Sequence, residues 1–442
     1  MSEMENGSNR KLKKFGKFVG GQVVVLGLLF FADQIFGFAE AEYLNTYITE
    51  VLGFPYKYVA RMVSISALMG LITNIIWGIV SDNTRSKFGR RKPYLFFGGV
   101  ISGIFMVLFA FSLRIAGGDP YIAYIICIII DGVIIGISSN AYYVAERSLL
   151  PDLVEPRLRG RANGIVEIIG YIGMIVIVGA SIVTDPLFGG LNETAHFFLL
   201  SLGGGIIIIV SILAMLLVKE KPVDNLPPKT PFFRDLVKIF NVKELGKNRE
   251  FLKIILAMTV FRIGIMIIMP YIMIYLITTL ELPLIDMLLA ILAAFGGTFI
   301  LIAIIGRITD KYGRKRFLSL FIVISSIFFF GMPFVQGGWN FQTGGAVNLI
   351  LLLILIPFVV FGILGLITPM QAWSQDLLPI ESRGKFLGVL NLVFTIPQII
   401  GAHLGALIAD NFGVEYIFWL APIFFLVSIP FFLWVKETLK KE

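Results

Sequence analysis

Four charged side chains stand deep inside long apolar stretches of this sequence: Asp33, Asp131, Glu167 and Arg262. A charge at the centre of a membrane-spanning helix costs about 2.5–3.5 kcal/mol on insertion scales, so such a residue needs a function or a partner. A carboxyl group held away from water can bind and release a proton during a reaction cycle. The sequence therefore predicts that the three acids couple an ion. It also predicts that Arg262 pairs with one of them or with an anionic substrate.

Two alternatives stay open at these positions. Glu40 lies seven residues after Asp33 and shares its helix face, so the two acids fit either a structural pair or a lining of a cavity. Glu146 and Arg147 are adjacent at the end of another apolar stretch, and they fit either a salt bridge at the inner membrane surface or a part of the site.

The elements that hold these residues must be membrane helices. Of the 442 residues, 57% are hydrophobic and only 15% are charged, against about 25% charged in soluble proteins. Twelve stretches reach the roughly 20 apolar residues that a transmembrane helix needs. They are about 19–43, 58–80, 94–114, 121–146, 162–184, 195–218, 251–279, 286–308, 317–335, 348–374, 386–409 and 415–435.

The basic residues fall almost wholly in alternate connections between these stretches, and the opposite side holds only Lys57, Arg61 and Arg114. The net charge of +8 therefore reflects the positive-inside rule and not a nucleic-acid surface, and both termini are expected in the cytoplasm. The predicted organisation is an all-α membrane protein with a cytoplasmic tail (1–18), a six-helix bundle (19–218), a cytoplasmic linker (219–250), a second six-helix bundle (251–435) and a short tail (436–442). Within the linker, residues 232–240 have amphipathic helical spacing suited to the membrane surface.

Two motifs occur once in each half of the chain. The first is an Asp followed by a Gly and a basic cluster, at Asp82 with Gly89-Arg90-Arg91 and at Asp310 with Gly313-Arg314. The second is Asp-(x)6-Arg-Gly, which ends at Gly160 and at Gly384. Gly89 and Gly313 are separated by 224 residues, as are Gly160 and Gly384. One shared offset for two motifs indicates a duplication of six helices.

With these paired motifs the chain resembles the major facilitator superfamily of transporters over its whole length. The first copy has four extra residues between Asp82 and Gly89, a variant similar to the glycoside–pentoside–hexuronide:cation symporters, which include melibiose permeases and sucrose transporters. The resemblance implies two bundles around a central cavity lined by spans 1, 4, 7 and 10, and rocking alternating access. It also implies that Asp33 matches a sugar-contacting position.

The sequence departs from the resemblance at the coupling sites. Melibiose permeases have two aspartates for sodium in the second span, where this chain has Gly70 and Asn74. The coupling aspartate of sucrose transporters aligns with Gly136, with Asp131 one and a half turns away. Coupling by protons is therefore expected in preference to sodium.

The remaining site residues are assigned by their chemistry. Asn140, Tyr142, Gln371 and Trp373 are predicted to contact substrate with Asp33 and Arg262, because amides bond hydroxyl groups and aromatic rings stack on sugar rings. Interhelical hydrogen bonding and interfacial anchoring are their alternatives. The basic loops are predicted to form a cytoplasmic gate from Asp82, Gly89, Arg90, Arg91, Asp310, Gly313 and Arg314, whose cations reach carboxylates or helix carboxyl ends.

The sequence contains no motif for a metal, nucleotide or catalytic nucleophile, and neither a cofactor nor a metal is expected. We therefore expect a transporter of the plasma membrane and not an enzyme, acting as a monomer in proton-coupled symport of a sugar or glycoside. One alternative is a carrier of the same fold for a drug, an organic anion or a lysolipid. The other is a membrane sensor that does not transport.

Overall fold

The computed structural model describes residues 21–154, 159–220, 231, 249–282, 286, 289–298, 300–301, 314–336, 348–366, 369–370, 373–374, 377 and 383–437. Its described part is helical, as the continuous apolar stretches predict. In chain order the helices are α1 (Gly21–Val51), α2 (Tyr56–Asn83), α3 (Lys92–Phe109), α4 (Pro120–Leu150), α5 (Ala162–Ile182), α6 (Glu193–Leu217), α7 (Arg249–Ile274), α8 (Leu289–Thr298), α9 (Phe317–Val335), α10 (Leu349–Ile363), α11 (Arg383–Asn411) and α12 (Val414–Trp434).

Nine of these helices, within the described residues, are long and apolar enough to cross a membrane, while α8 and α10 are shorter apolar helices. The remaining helix, α11, has 29 residues. Each helix overlaps one of the stretches that the sequence predicts. The expectation of an all-helical membrane protein is therefore confirmed. The full count of twelve spans and the cytoplasmic position of both termini stay predictions.

Wide π-helical turns lie within or at the end of four of the helices. In α1 they are Ala39–Tyr43 and Tyr47–Val51, and in α4 the turn is Ile129–Ile135. Two more follow α7 at Tyr275–Thr279 and close α10 at Phe361–Gly365. Such turns are rare and occur often at functional sites. Among the described residues they fall on spans 1, 4, 7 and 10, the spans that the family resemblance assigns to the cavity.

The chain divides into two compact units. Unit 1 takes its described residues from Met1–Tyr47 and Ile72–Asp235, and unit 2 from Ile48–Leu71 and Leu236–Glu442. The first half of α2 therefore belongs to unit 2, and its second half belongs to unit 1.

Glycines bring helices together inside each unit. In unit 1, a Cβ on Gly103 of α3 would lie 2.4 Å from the carbonyl oxygen of Gly204 in α6. In unit 2, a Cβ on Gly405 of α11 would lie 2.4 Å from the carbonyl oxygen of Ile267 in α7. Small residues allow such close backbone approach, which is how membrane helices gain packing energy where lipid offers no hydrophobic driving force.

Candidate functional site

Arg147, at the carboxyl end of α4, is the centre of the charged site in unit 1. Its guanidinium group lies 4.6 Å from the ring centre of Tyr143 and 5.1 Å from that of Phe30. Nε of Arg147 lies 3.9 Å from a carboxylate oxygen of Glu146, whose side chain is only 5% exposed. Aromatic faces stabilise a partly desolvated cation, and Arg147, whose side chain is 50% exposed, lies beside two rings and an acid.

Two further acids act on the same guanidinium group. Asp33 of α1 and Glu167 of α5 both interact electrostatically with Arg147. The side chain of Glu167 also accepts a hydrogen bond from Nδ2 of Asn163 at 3.2 Å. Helices α1, α4 and α5 thus supply three acids that interact electrostatically with one cation. That Glu146 and Arg147 belong to the site stays a prediction.

A second group of acids lies on the π-helical turns. Glu40 belongs to the turn Ala39–Tyr43 and Asp131 to the turn Ile129–Ile135. Glu40 interacts electrostatically with both Asp131 and Asp33, and Asp131 is 4% exposed. Because neighbouring carboxylates in a low-dielectric site repel each other when both are ionised, this group is suited to sharing protons.

Among the described residues of unit 2, Arg262 of α7 is a buried cation, with 8% of its surface exposed. It follows Phe261, whose ring centre lies 4.8 Å from that of Phe425 in α12. The predicted partners of Arg262 all belong to unit 1. Its pairing with one of them stays a prediction.

Three of the predicted sugar-contacting residues donate hydrogen bonds to backbone carbonyl oxygens of the protein. The hydroxyl of Tyr142 donates to the carbonyl oxygen of Leu29 at 3.0 Å, and the amide of Asn140 donates to that of Gly136 in its own helix at 2.6 Å. Nε1 of Trp373 donates to the carbonyl oxygen of Lys436 at 3.1 Å, and both aromatic side chains are buried. Gln371 lies outside the described residues. Substrate contact by these four residues stays a prediction.

The first basic loop (84–91) joins α2 to α3 and forms charge-assisted hydrogen bonds within unit 1. Nη2 of Arg91 donates to Asp82 at 2.5 Å, and Nη2 of Arg90 donates to Asp152 at 2.5 Å. Arg91 also approaches Asp152, with Nε at 3.4 Å. The two arginines therefore connect the end of α2 to the last turn of the helix Gly136–Leu153, which continues α4.

Gly89 is required in this loop by its backbone conformation. Its φ angle is +116°, and a Cβ there would lie 2.6 Å from Oε1 of Glu220. Only glycine adopts such a conformation without strain. In the second copy of the motif, Asp310 and Gly313 lie outside the described residues, and Arg314 begins the helix Arg314–Gly331, whose apolar part belongs to α9.

Sequence reasoning missed Glu220, whose partners are about 130 residues earlier in the chain, and assigned Arg147 no acidic partner beyond its neighbour. The signal for Arg147 was its position, because an arginine that closes an apolar span can remain inside the membrane when acids of other helices face it.

Comparison with known proteins places this geometry in a family. The Major Facilitator Superfamily profile matches residues 23–355 and 293–442. Crystal structures of the nucleoside transporter NupG superpose with TM-scores of 0.69 and 0.66 at 14% sequence identity, over 94% of this chain and 99% and 98% of theirs. The chain therefore belongs to the Major Facilitator Superfamily and has its fold. It is a multi-pass membrane protein.

Curated relatives are similar to this chain over limited regions. The isoprimeverose transporter of Lactiplantibacillus pentosus is 25% identical over 179 residues, which are 40% of this chain and 35% of that protein. Multidrug resistance protein 3 of Bacillus subtilis (strain 168) is 30% identical over 138 residues, which are 31% of this chain and 25% of that protein. These matches span about a third of the one relative and a quarter of the other.

Proposed function

We propose that this protein is a secondary active transporter that couples the movement of a sugar or glycoside to protons by rocking alternating access. The observation that carries the proposal is the cluster around Arg147 of α4. Its guanidinium group interacts electrostatically with Glu146 of its own helix, Asp33 of α1 and Glu167 of α5. A cation that serves several acids can change partner when one of them takes up a proton.

The coupling follows from this exchange. A proton on Asp33 removes its negative charge and with it the attraction of Arg147, which then interacts more strongly with Glu167. The protonated carboxyl group of Asp33 can donate a hydrogen bond to a sugar hydroxyl, a contact that the ionised form cannot make. Proton and sugar would therefore bind together. A ligand that prefers one conformation of the carrier moves it toward that conformation.

The remaining predicted residues have roles in the same proposal. Asp131, near Glu40, forms a second proton-binding group in α1 and α4, and Arg262 of α7 is the cation that the other half offers to substrate or acid. Asn140, Tyr142, Gln371 and Trp373 are proposed sugar contacts. For Tyr142 and Trp373, contact requires that their rings leave the packing described above.

The proposed arrangement in the membrane rests on charge. The basic connections support a cytoplasmic position for both termini, the linker 219–250 and the two basic loops. The two six-helix bundles 19–218 and 251–435 follow from the duplicated motifs. A monomer is the proposed functional state.

Similarity to the isoprimeverose transporter supports a glycoside as the cargo. A drug is the second candidate, since Multidrug resistance protein 3 is 30% identical to this chain over a comparable length. The acids of α1 and α4 would bind a cationic drug through charge and a sugar through hydrogen bonds. Neutral and cationic probes therefore discriminate between the two cargoes.

Uptake into proteoliposomes tests the proposal. The purified protein is reconstituted, a proton gradient or a sodium gradient is imposed, and radiolabelled isoprimeverose, radiolabelled sucrose and the cationic dye ethidium are compared. We expect a sugar to accumulate under the proton gradient alone and a protonophore to abolish it. Accumulation of ethidium without sugar would identify a drug carrier. Uptake driven by sodium would contradict proton coupling, and no uptake of any probe would contradict the sugar assignment.

A further inference from the structure

A third motif is repeated in the chain, at the ends of α6 and α12. Both helices are followed by Val-Lys-Glu, at 218–220 and at 435–437, a separation of 217 residues. This offset differs from the 224 residues that separate the two copies of each of the other motifs. The two units show that both copies make the same kinds of contact.

In unit 1, Glu220 binds the amino end of α3. Its carboxylate accepts hydrogen bonds from the backbone amides of Arg90 at 2.7 Å, Arg91 at 2.9 Å and Lys92 at 2.8 Å. The preceding backbone amide, that of Lys219, donates to Oε1 of Gln22 in α1 at 2.9 Å. The end of α6 is thereby attached to the starts of both α1 and α3.

In unit 2, Glu437 makes the corresponding contact. Its carboxylate accepts a hydrogen bond from the backbone amide of Lys315, in the first turn of the helix Arg314–Gly331, at 2.8 Å. The backbone amide of Lys436 donates to Oε2 of Glu250 at the start of α7, at 2.7 Å. The residue order and the type of partner match those of unit 1.

The physical reason is the same at both places. The first amides of a helix have no acceptor inside the helix, and the helix dipole favours negative charge at that end. Glu220 satisfies three consecutive amides, two of which belong to the arginines that bind Asp82 and Asp152. In return, Nζ of Lys92 donates to the carbonyl oxygen of Met215 in the last turn of α6, at 3.1 Å. Helices α3 and α6 therefore cap each other.

We propose that the two Val-Lys-Glu turns, which we name the clasps, fasten the last helix of each repeat to its first and third helices. Glu220 and Glu437 are then positioning residues. Glu220 fixes the backbone from which Arg90 and Arg91 reach their carboxylates, so that the cytoplasmic ends of the repeat move together during transport. This role requires no particular substrate or coupling ion.

Distances between spin labels test the clasp of unit 1 in the full-length protein. Cys127, the single cysteine, is replaced by serine, and labels are attached to cysteines at Phe88 of the basic loop and Leu216 of α6, whose side chains are 53% and 73% exposed. We expect one narrow distance distribution in this background. Glu220→Ala should broaden it, and Glu220→Gln should restore most of its sharpness, because the amide oxygen still accepts hydrogen bonds from backbone amides.

A matched control is available at the opposite end of α6. Glu193 pairs with the exposed Arg114 at 2.7 Å, and Glu193→Gln should leave the distribution unchanged. An unbroadened distribution in Glu220→Ala overturns the proposal for unit 1, whatever the uptake assays show. No sugar is needed, so failure here is separate from failure of the proposed function.

Thermal unfolding tests the clasp of unit 2. The thiol of Cys127 is buried, so a thiol-reactive dye reports unfolding of the otherwise unmodified chain. Glu437→Ala and Glu220→Ala should each lower Tm by about 2–4 °C, the shift that loss of one helix cap produces in chains of a few hundred residues. The glutamine variants should lose less. A Tm in Glu437→Ala equal to that of the parent overturns the proposed equivalence of the two clasps.

Discussion

The carboxylate of Asp410 caps the helix that begins at Tyr56. One oxygen of Asp410 lies 2.8 Å from the backbone nitrogen of Tyr56, and the other lies 3.1 Å from that of the next residue, Lys57. The residues belong to unit 2 and are 354 positions apart. The end of α11 therefore stabilises the start of α2, because a negative charge is favoured at the amino end of a helix.

Removal of this cap should destabilise the protein. We expect Asp410→Ala to reduce the free energy of unfolding by about 1 kcal/mol, as loss of a helix cap typically does. Asp410→Asn keeps one acceptor and should lose less. The measurement is Tm from dye labelling of Cys127, and a Tm in Asp410→Ala equal to that of the parent would contradict the role of the cap.

Arg147 should not be replaceable by lysine. The guanidinium group lies near two aromatic rings and interacts electrostatically with acids of three helices. A lysine ammonium is a compact and strongly hydrated charge. We expect Arg147→Lys to reduce proton-driven uptake of the sugar identified in the screen about tenfold, which corresponds to about 1.4 kcal/mol. Arg114→Lys, at an exposed ion pair, is the control. Equal uptake by both variants would exclude Arg147 from coupling.

Replacement of Asp33 by asparagine should abolish proton-driven accumulation of sugar but not sugar exchange. In Asp33→Asn the side chain stays neutral throughout the cycle, so the protein should no longer accumulate sugar under a proton gradient while it still exchanges labelled for unlabelled sugar. Asp119→Asn is the control, because Asp119 caps the start of α4, where its side chain accepts from the backbone amide of Tyr121 at 2.8 Å. Proton-driven accumulation that persists in Asp33→Asn would remove Asp33 from the coupling group.

Two neighbouring glycines of α6 should respond in opposite ways to alanine. A Cβ on Gly204 would lie 2.5 Å from the carbonyl oxygen of Gly103, and backbone cannot move aside cheaply, whereas a Cβ on Gly205 would meet nothing within 4 Å. We expect Gly204→Ala to reduce the free energy of unfolding by about 1–3 kcal/mol. Gly205→Ala should be neutral or stabilising by up to about 1 kcal/mol. The two values of Tm decide the prediction, and equal values would show that α3 and α6 can separate without cost.

The helices were predictable because each needs only its own apolar residues. The stretch 195–218 is continuously apolar and becomes α6 (Glu193–Leu217). The predicted first span, 19–43, contains the start of α1. The continuation of α1 to Val51 was not predicted, because a π-helical turn at Tyr47–Val51 carries the helix across Glu50. Such turns depend on packing against other helices and leave no clear pattern in composition.

The sequence predicts which charged residues belong to the candidate site better than it predicts which of them interact. Asp33, Asp131 and Glu167 are visible as charges in apolar surroundings. The electrostatic interaction of Asp33 and Glu167 with Arg147 depends on how α1, α4 and α5 pack. The order of residues along the chain does not predict that packing. Glu220 was hidden for another reason: a glutamate beside two lysines after a span is usual in a solvated turn, and only its contact with Gly89 and the following amides distinguishes it.

The π-helical turns also affect how these helices can be compared with their relatives. A turn closed by i→i+5 hydrogen bonds holds about one residue more than an α-helical turn, and one residue rotates a helix by about 100°. Residues on the two sides of Ile129–Ile135 therefore occupy different phases of one helix, and an ungapped alignment of α4 places one side on the wrong face. A single-residue deletion inside that turn should be tolerated better than one elsewhere in α4, because it restores an ordinary helix and only there can the chain give up a residue without breaking the ladder of hydrogen bonds.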